Sequence, residues 1–375
     1  MIYFLSLVLF CIPWVLPNGN FELAVELFLM GFTGLVIFKN GIRRSFVPLI
    51  MFFLAYVPFI SYPVDVLFIQ LRSLIFPLLM VSSLSKLRVA SYSIFQNFFL
   101  WFFVAVVFIA IYEGVTGTYF LNATNRYGQE LVGLGAMHRS YSLIGNAIDL
   151  AHFIVLGAIY ILPKVKWKSL FVLLVIIALA TTRSRGPMIS VLFGLVVSGF
   201  VPQLLKTRPK LFLLFGVVLL LISSMFVDRL AQLNQRELLQ DPYRFSWLLA
   251  SLNIIRDNIL LGSGPGTFGG WVSINYFVSP IYHLYNVDTY GISSIDMFWP
   301  HLVAELGLLG TMAYLVIFYR KGNTMIKHIA IAYCLMASLF SIALESQLVL
   351  FLLALIIYEP KKDNTDFIHD GSVKR

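Results

Sequence analysis

Apolar residues run along this chain in long stretches, broken at short intervals by charge, proline or glycine. A bilayer-crossing helix needs about 20 mostly apolar residues. On that measure the pattern predicts spans near residues 2–17, 21–38, 46–61, 65–85, 94–114, 147–163, 168–182, 187–205, 210–227, 298–319, 328–344 and 346–359. The expected fold is therefore an all-α polytopic membrane protein with about twelve transmembrane helices. Several stretches are short, which leaves open a re-entrant hairpin in place of one pair. The opening run MIYFLSLVLFCIPWVLP has neither a basic leader nor a small-residue cleavage site, so it reads as a retained first span.

Composition agrees with lipid as the solvent. The chain is 59% hydrophobic and 12% charged, with mean hydropathy +0.86. Its two cysteines, Cys11 and Cys334, both sit in apolar runs, which excludes a disulfide framework and a paired-cysteine metal or redox motif. The whole of residues 1–375 reads as one integral membrane domain, with outer loops at 116–147 and 228–300 and a cytoplasmic tail at 360–375.

The formal net charge of +9 is distributed unevenly. One set of alternate breaks carries Lys39, Arg43, Arg44, Lys86, Arg88, Lys164, Lys166, Lys168, Lys206, Arg208, Lys210, Arg320, Lys321, Lys327, Lys361, Lys362, Lys374 and Arg375. The excess of basic residues assigns these breaks, and both termini, to the cytoplasm. The opposite set carries Arg126, Arg139, Arg183, Arg185, Arg229, Arg236, Arg244 and Arg256, and no lysine. Topology pressure that removes lysine should remove arginine too. A planar guanidinium that binds phosphate bidentately gives a reason for arginine to stay. This distribution points to an anion site outside the membrane and away from nucleic acid.

Two outer segments are large enough for chemistry, about 30 residues at 116–147 and about 70 at 228–300. Within the second, Asp241-Pro242 reads as a helix start, and Phe245, Leu248, Leu249, Leu252 and Ile255 follow at helical spacing. The predicted helix lies along the membrane surface with those side chains on its apolar stripe and Arg244, Trp247 and Ser251 on a neighbouring one. It ends in the glycine-rich run Gly262-Ser263-Gly264-Pro265-Gly266-Thr267-Phe268, which lacks the Gly-Lys-Ser/Thr of a nucleotide loop. Arg183 and Arg185 flank a helix start at Ser184-Arg185-Gly186-Pro187. Arg72 falls inside the fourth span, where an ionised group needs a polar cavity or a partner. Asp296, His301 and Glu305 fall near one stripe at the start of the tenth span. Asp296 and His301 are the acid/base candidates, and Glu305 reads as a structural helix contact. No His/Asp/Glu cluster has convincing metal-ligand spacing, so neither metal nor cofactor is expected.

The order of these pieces resembles a known family. His138-Arg139-Ser140-Tyr141, Ser184-Arg185-Gly186-Pro187, Arg244-Phe245-Ser246-Trp247, the run Asp257 to Phe268, and Ala304-Glu305-Leu306-Gly307-Leu308-Leu309-Gly310 together resemble the O-antigen polymerase and ligase family. The resemblance is strongest over residues 139–319. It implies a bacterial membrane glycosyltransferase of GT-C type that uses undecaprenyl-pyrophosphate-linked sugars on the outer face of the inner membrane. It gives Arg185 and Arg244 the pyrophosphate, with Arg139, Arg183 and Arg72 as further candidates. The family's ligases usually carry a His-Asn pair nine residues before the glutamate of the Glu-x-Gly-x-x-Gly helix. Here that place holds Asp296-Met297, which leans toward the polymerase branch.

The expected activity is polymerisation of lipid-linked repeat units into O-antigen or capsule, with ligation of finished glycan to lipid A core or protein as the alternative. The expected partners are the undecaprenyl-pyrophosphate-linked oligosaccharide, the bilayer, a chain-length regulator and a flippase. A rival of another class is a lipid-linked oligosaccharide transporter, but the chain has no internal repeat and its polar candidates collect at one face. A scaffold is a third reading, and it predicts no arginine-lined cavity.

Overall fold

A computed structural model describes residues 2–11, 19–59, 62–85, 92–119, 139–197, 242–268, 298–318, 325–339, 341 and 343–358. Among them the chain is helical, with turns and short 3-10 segments and no strand. The α-helices are α1 (Ile2–Cys11), α2 (Gly19–Asn40), α3 (Val47–Tyr56), α4 (Val64–Leu84), α5 (Tyr92–Thr116), α6 (Ala147–Ile161), α7 (Lys168–Thr182), α8 (Arg185–Val197), α9 (Pro242–Asp257), α10 (Phe298–Val316), α11 (Met325–Ala337) and α12 (Gln347–Ile357). Eleven of these fall on predicted spans, and α9 is the helix predicted inside the large loop. The span expected at 210–227 lies outside the described residues.

Among the described residues four stretches, Leu23–Asn40, Val64–Leu84, Ile94–Thr116 and Ala147–Lys164, are long and apolar enough to cross a bilayer singly. At the centre stands α12, whose residues Leu348 to Ile357 are all buried. A helix apolar on every side belongs inside the bundle. It packs on α4 and α6, which in turn meet α2 and α7. Small residues permit close approaches: Gly194 of α8 lies against the Ile329 carbonyl of α11, and Gly157 of α6 lies under the Phe103 ring of α5.

The ends of the bundle differ in chemistry. At one end Arg43 donates to Ser85 Oγ at 2.8 Å and stacks on Tyr358 at 4.9 Å, which gathers the ends of α2, with its Lys39, α4 and α12. At the other end, among the described residues, there is no lysine.

The main departure from regularity is in α10. Its backbone breaks at Gly307, with φ 61° and ψ −172°. A broken helix frees carbonyls above the break and N–H groups below it, and hydrocarbon offers them nothing. The segment leaving α9 fills the gap. Ser263 N–H donates to the Ala304 carbonyl at 2.8 Å and Gly264 N–H to the Glu305 carbonyl at 2.9 Å. In return Leu308 and Leu309 N–H donate to the Ile259 and Leu260 carbonyls at 2.9 and 3.1 Å. The backbones come so close that a Cβ on Gly262 would strike the Glu305 carbonyl, and one on Gly307 the Leu260 carbonyl. Both glycines also have positive φ, 70° and 61°. Ile259, Leu260, Leu261, Leu308 and Leu309 are exposed around this junction, an apolar rim suited to lipid.

Of the predicted α9 stripe, the side chains of Leu252 and Ile255 lie among the described residues. Ala250, Ser251 and Ile254 are buried on a helix packed on α10, while Leu252 is 52% exposed. In lipid an outward leucine costs nothing, so the apolar pattern alone does not fix which face is buried. The glycine-rich run is likewise no plain surface connection, because α10 takes it up.

Gly262→Ala and Gly307→Ala should each destabilise the protein by at least about 2 kcal/mol, combining a backbone clash with a left-handed φ. The readouts are membrane abundance and the Tm of detergent-extracted protein. Gly31→Ala, with nothing within 4 Å of the added Cβ, should leave both unchanged.

Candidate functional site at the lysine-free end

Two polar assemblies occupy the lysine-free end, each built on a buried carboxylate. The first is organised by Glu113, near the last turn of α5 and 1% exposed. One of its oxygens, Oε2, accepts from Ser140 Oγ at 3.1 Å, Tyr141 N–H at 2.9 Å and Ser142 N–H at 2.7 Å. Three donors on one carboxylate oxygen fix the segment that enters α6. Asn146 then caps α6 by accepting from Ile148 N–H at 2.8 Å.

This fixed segment carries Arg139 to the turn between α7 and α8. Arg139 Nε donates to the Thr182 carbonyl at 3.2 Å, and Ser140 N–H to the Thr181 carbonyl at 3.1 Å. The turn is tight. Arg183 ends α7 in the left-handed region at φ 53°, an uncommon state for a residue with a Cβ, and Arg185 opens α8. Ser184 Oγ, between them, donates to the Ala147 carbonyl at 3.1 Å. Arg139, Arg183 and Arg185 are thus gathered around one turn. Each is half-buried.

The second assembly lies under the Gly262–Phe268 turn. Glu305 and His301, both 0% exposed, face it from α10. Phe268 N–H donates to Glu305 Oε1 at 2.9 Å, and Gly266 N–H donates to the same carboxylate. The Phe268 carbonyl meets His301 Nδ1 at 3.1 Å. Gln70 of α4 donates through Nε2 to Glu305 Oε2 at 3.0 Å, and Glu345 lies 3.6 Å from His301 Nε2. Tyr62 closes the turn from the other side by donating to the Pro265 carbonyl at 2.8 Å. Burial first, then Glu305 and Tyr56, push the Tyr62 phenol well above its ordinary pKa, which keeps it a donor.

The assemblies touch through α6. Ser184 binds the first residue of α6, and Asp149 two residues on accepts from Ser346 Oγ at 3.3 Å, beside Glu345. Deeper on the same helix, His152 meets Tyr333 at 2.6 Å and Ser341 at 3.3 Å.

Arg72 stands apart. Its Nε lies 3.2 Å from Glu26 of α2, the partner an arginine at that depth requires. Gln70, two residues earlier, points to Glu305. Two residues are about 200° around a helix, so Arg72 faces away from the second assembly. Of the two alternatives the sequence leaves for Arg72, a polar cavity or a partner, Glu26 supplies the partner. Arg244 lies in the first turn of α9, where only the backbone is described, and Asp296 and His138 lie outside the described residues.

Sequence reasoning missed Glu26, Gln70, Glu113 and Glu345. Carboxylates inside or at the edge of apolar spans were the available sign, because such groups are costly unless paired. No group of three or more His, Cys, Asp or Glu side chains fit to hold a metal occurs among the described residues.

These features define an all-α polytopic membrane protein with its arginines and buried carboxylates gathered at the lysine-free end. Residues 170–315, from α7 almost to the end of α10, match the family model described as O-antigen ligase, which supports the O-antigen polymerase and ligase family for this chain. The match takes in both the α7–α8 turn and the α9–α10 interlock. No curated protein matches the chain.

Arg183→Gly separates structure from chemistry at the turn. Glycine accepts the left-handed backbone more readily than arginine by about 1 kcal/mol, so abundance should hold or rise. If the guanidinium serves an anion, polymer formation should fall. Unchanged polymer in that variant would remove Arg183 from the site.

Proposed function

We propose that the protein polymerises undecaprenyl-pyrophosphate-linked oligosaccharide repeat units into O-antigen or capsular polysaccharide at the outer face of the bacterial cytoplasmic membrane. The observation that carries this reading is the arginine-bearing α7–α8 turn, inside the matched region and held in place by the Glu113 assembly.

An enzyme outside the cytoplasmic membrane has no nucleotide sugar at hand, so the glycosidic bond energy must arrive with the substrate. A lipid pyrophosphate supplies it. The acceptor hydroxyl attacks the anomeric carbon, the bond to the pyrophosphate breaks, and negative charge grows on the leaving group. Guanidinium groups already in position stabilise that charge without reorganising. We assign this role first to Arg185 and Arg244, with Arg183 and Arg139 beside Arg185. Arg72, engaged by Glu26, stands behind them. The acceptor proton goes to a base, for which Asp296 is the choice.

A second reading, compatible with a family model described as O-antigen ligase, is transfer of finished glycan to lipid A core or protein. Asp296-Met297, where the ligases' His-Asn pair is expected, supports the polymerase.

Arg185→Lys and Arg244→Lys should each abolish long-chain polymer at normal abundance, because lysine keeps the charge and loses the bidentate fork. Wild-type ladders from both variants would count against the proposal. The glycan profile of a deletion strain separates the two readings: single repeat units on the final acceptor mark a polymerase, and polymer stranded on the lipid carrier marks a ligase.

A further inference from the structure

We infer that Glu305 and His301 are positioning residues for the proposed transfer reaction: together they clamp Phe268 and so fix the Gly262–Phe268 turn at the lysine-free end. The inference rests on the proposed function for its catalytic consequence, and on geometry alone for the clamp.

The two side chains lie one helical turn apart on α10, on the same face. Between them they take both polar groups of one peptide residue. Glu305 Oε1 accepts from Phe268 N–H at 2.9 Å, and His301 Nδ1 lies 3.1 Å from the Phe268 carbonyl oxygen. A carbonyl only accepts, so Nδ1 carries the proton and donates. The Phe268 ring is itself 0% exposed, so backbone and side chain are fixed together. His301 also holds the chain where α10 begins: its ring lies 5.5 Å from that of Phe298, edge to face. The chain leaves the turn at Phe268 and enters α10 at Phe298, and one imidazole contacts both residues.

The glycine interlock alone leaves this part of the turn unheld. Its backbone pairs run from Ile259 to Gly264 and stop there. Beyond Gly264 the turn closes on itself through Thr267, whose Oγ1 meets Ser263 Oγ at 2.7 Å and donates to the Gly264 carbonyl at 2.6 Å, and it is tied to its surroundings by Tyr62 at Pro265, by Glu305 at Gly266 and Phe268, and by His301 at Phe268. Gln70 Nε2 holds the far oxygen of Glu305 at 3.0 Å and sets the carboxylate's rotation. Neither Glu305 nor His301 has surface to offer a substrate. Their effect on the reaction passes through the turn.

The clamp makes a distinction that acid/base chemistry would not. Glu305→Gln keeps an oxygen for the Phe268 N–H, and Gln70 can turn its amide to meet the new NH2, since its Oε1 is buried without a hydrogen-bond partner. Glu305→Ala removes the acceptor. Likewise His301→Asn keeps a donor near the place of Nδ1, and His301→Ala does not.

The test uses full-length detergent-solubilised protein carrying Thr267→Cys, whose Sγ takes the place of Oγ1 toward Ser263 and the Gly264 carbonyl as a weaker partner, read with a bulky maleimide. Thr267 is 2% exposed, and the two native cysteines are 0% and 1% exposed, so the background is low. Labelling should stay slow in the parent, in Glu305→Gln and in His301→Asn. It should accelerate by about tenfold or more in Glu305→Ala and His301→Ala, where the turn opens. Polymer formation in cells should follow the same division for Glu305, lost in the alanine variant and restored in the glutamine variant. If one alanine variant fails to accumulate, the other reads the same clamp from the opposite side of the peptide. Protection of the introduced cysteine in the alanine variants overturns the clamp. Protection in Glu305→Gln with loss of polymer overturns positioning in favour of a chemical role. Labelling that divides as expected while polymer is formed by every variant leaves the clamp standing and counts against the proposed function.

Discussion

Hydrocarbon offers no hydrogen-bond partner, so a membrane helix that breaks must give its freed backbone groups to another stretch of backbone. In this protein α10 breaks at Gly307 and the chain leaving α9 supplies the partners, four N–H to carbonyl bonds between Ile259–Gly264 and Ala304–Leu309. Only glycine at 262 and 307 lets the two backbones approach so closely. From that junction the rest of the lysine-free end follows. The turn beyond Gly264 is laid over α10, where Glu305 and His301 meet it, and α4 and the start of α12 bring Gln70 and Glu345 to the same place. A regular α10 would satisfy its own backbone and leave the Ile259–Gly264 stretch without its backbone partners.

Charge is handled by the same rule, that polar groups in apolar surroundings are kept by partners. Glu26 meets Arg72, Glu113 gathers three donors from the Ser140–Ser142 segment, and Glu305 gathers donors from the Gly262–Phe268 turn and Gln70. Each carboxylate ties together elements distant in sequence, so each sets geometry. The arginines at the α7–α8 turn differ in being half-buried, with charge near the surface. This division between buried anchors and accessible cations is what a site for an anionic, lipid-attached substrate requires.

Much of this was legible in the sequence. Span positions follow from length and apolarity, and α7 matches its predicted range of 168–182. Asp241-Pro242 marked a helix start, and α9 begins at Pro242. The arginine-only distribution marked the end of the molecule where Arg139, Arg183 and Arg185 come together. What could not be read depends on which helices are neighbours. Nothing local shows that Arg72 faces Glu26, or that Glu113 waits for Ser140–Ser142. The run Ala304 to Gly310 reads as one apolar helix, because an isolated glycine is tolerated in such a pattern. Its break appears only when the partner segment is in place. The exposure of Leu252 on α9 has a related reason: with lipid on one side, hydrophobicity no longer tells inside from outside.

The interlock is open to direct measurement in the membrane. Leu260 and Leu309 are both exposed and share a backbone hydrogen bond of 3.1 Å, which brings their Cα atoms within disulfide range. A Leu260→Cys, Leu309→Cys pair, oxidised in native membranes and mapped by mass spectrometry, should form an intramolecular disulfide in high yield. A Leu260→Cys, Met312→Cys pair, one further turn along α10, should cross-link much less. Absence of the first disulfide, with both cysteines still reactive to maleimide, would contradict the interlock and with it the arrangement of the whole site.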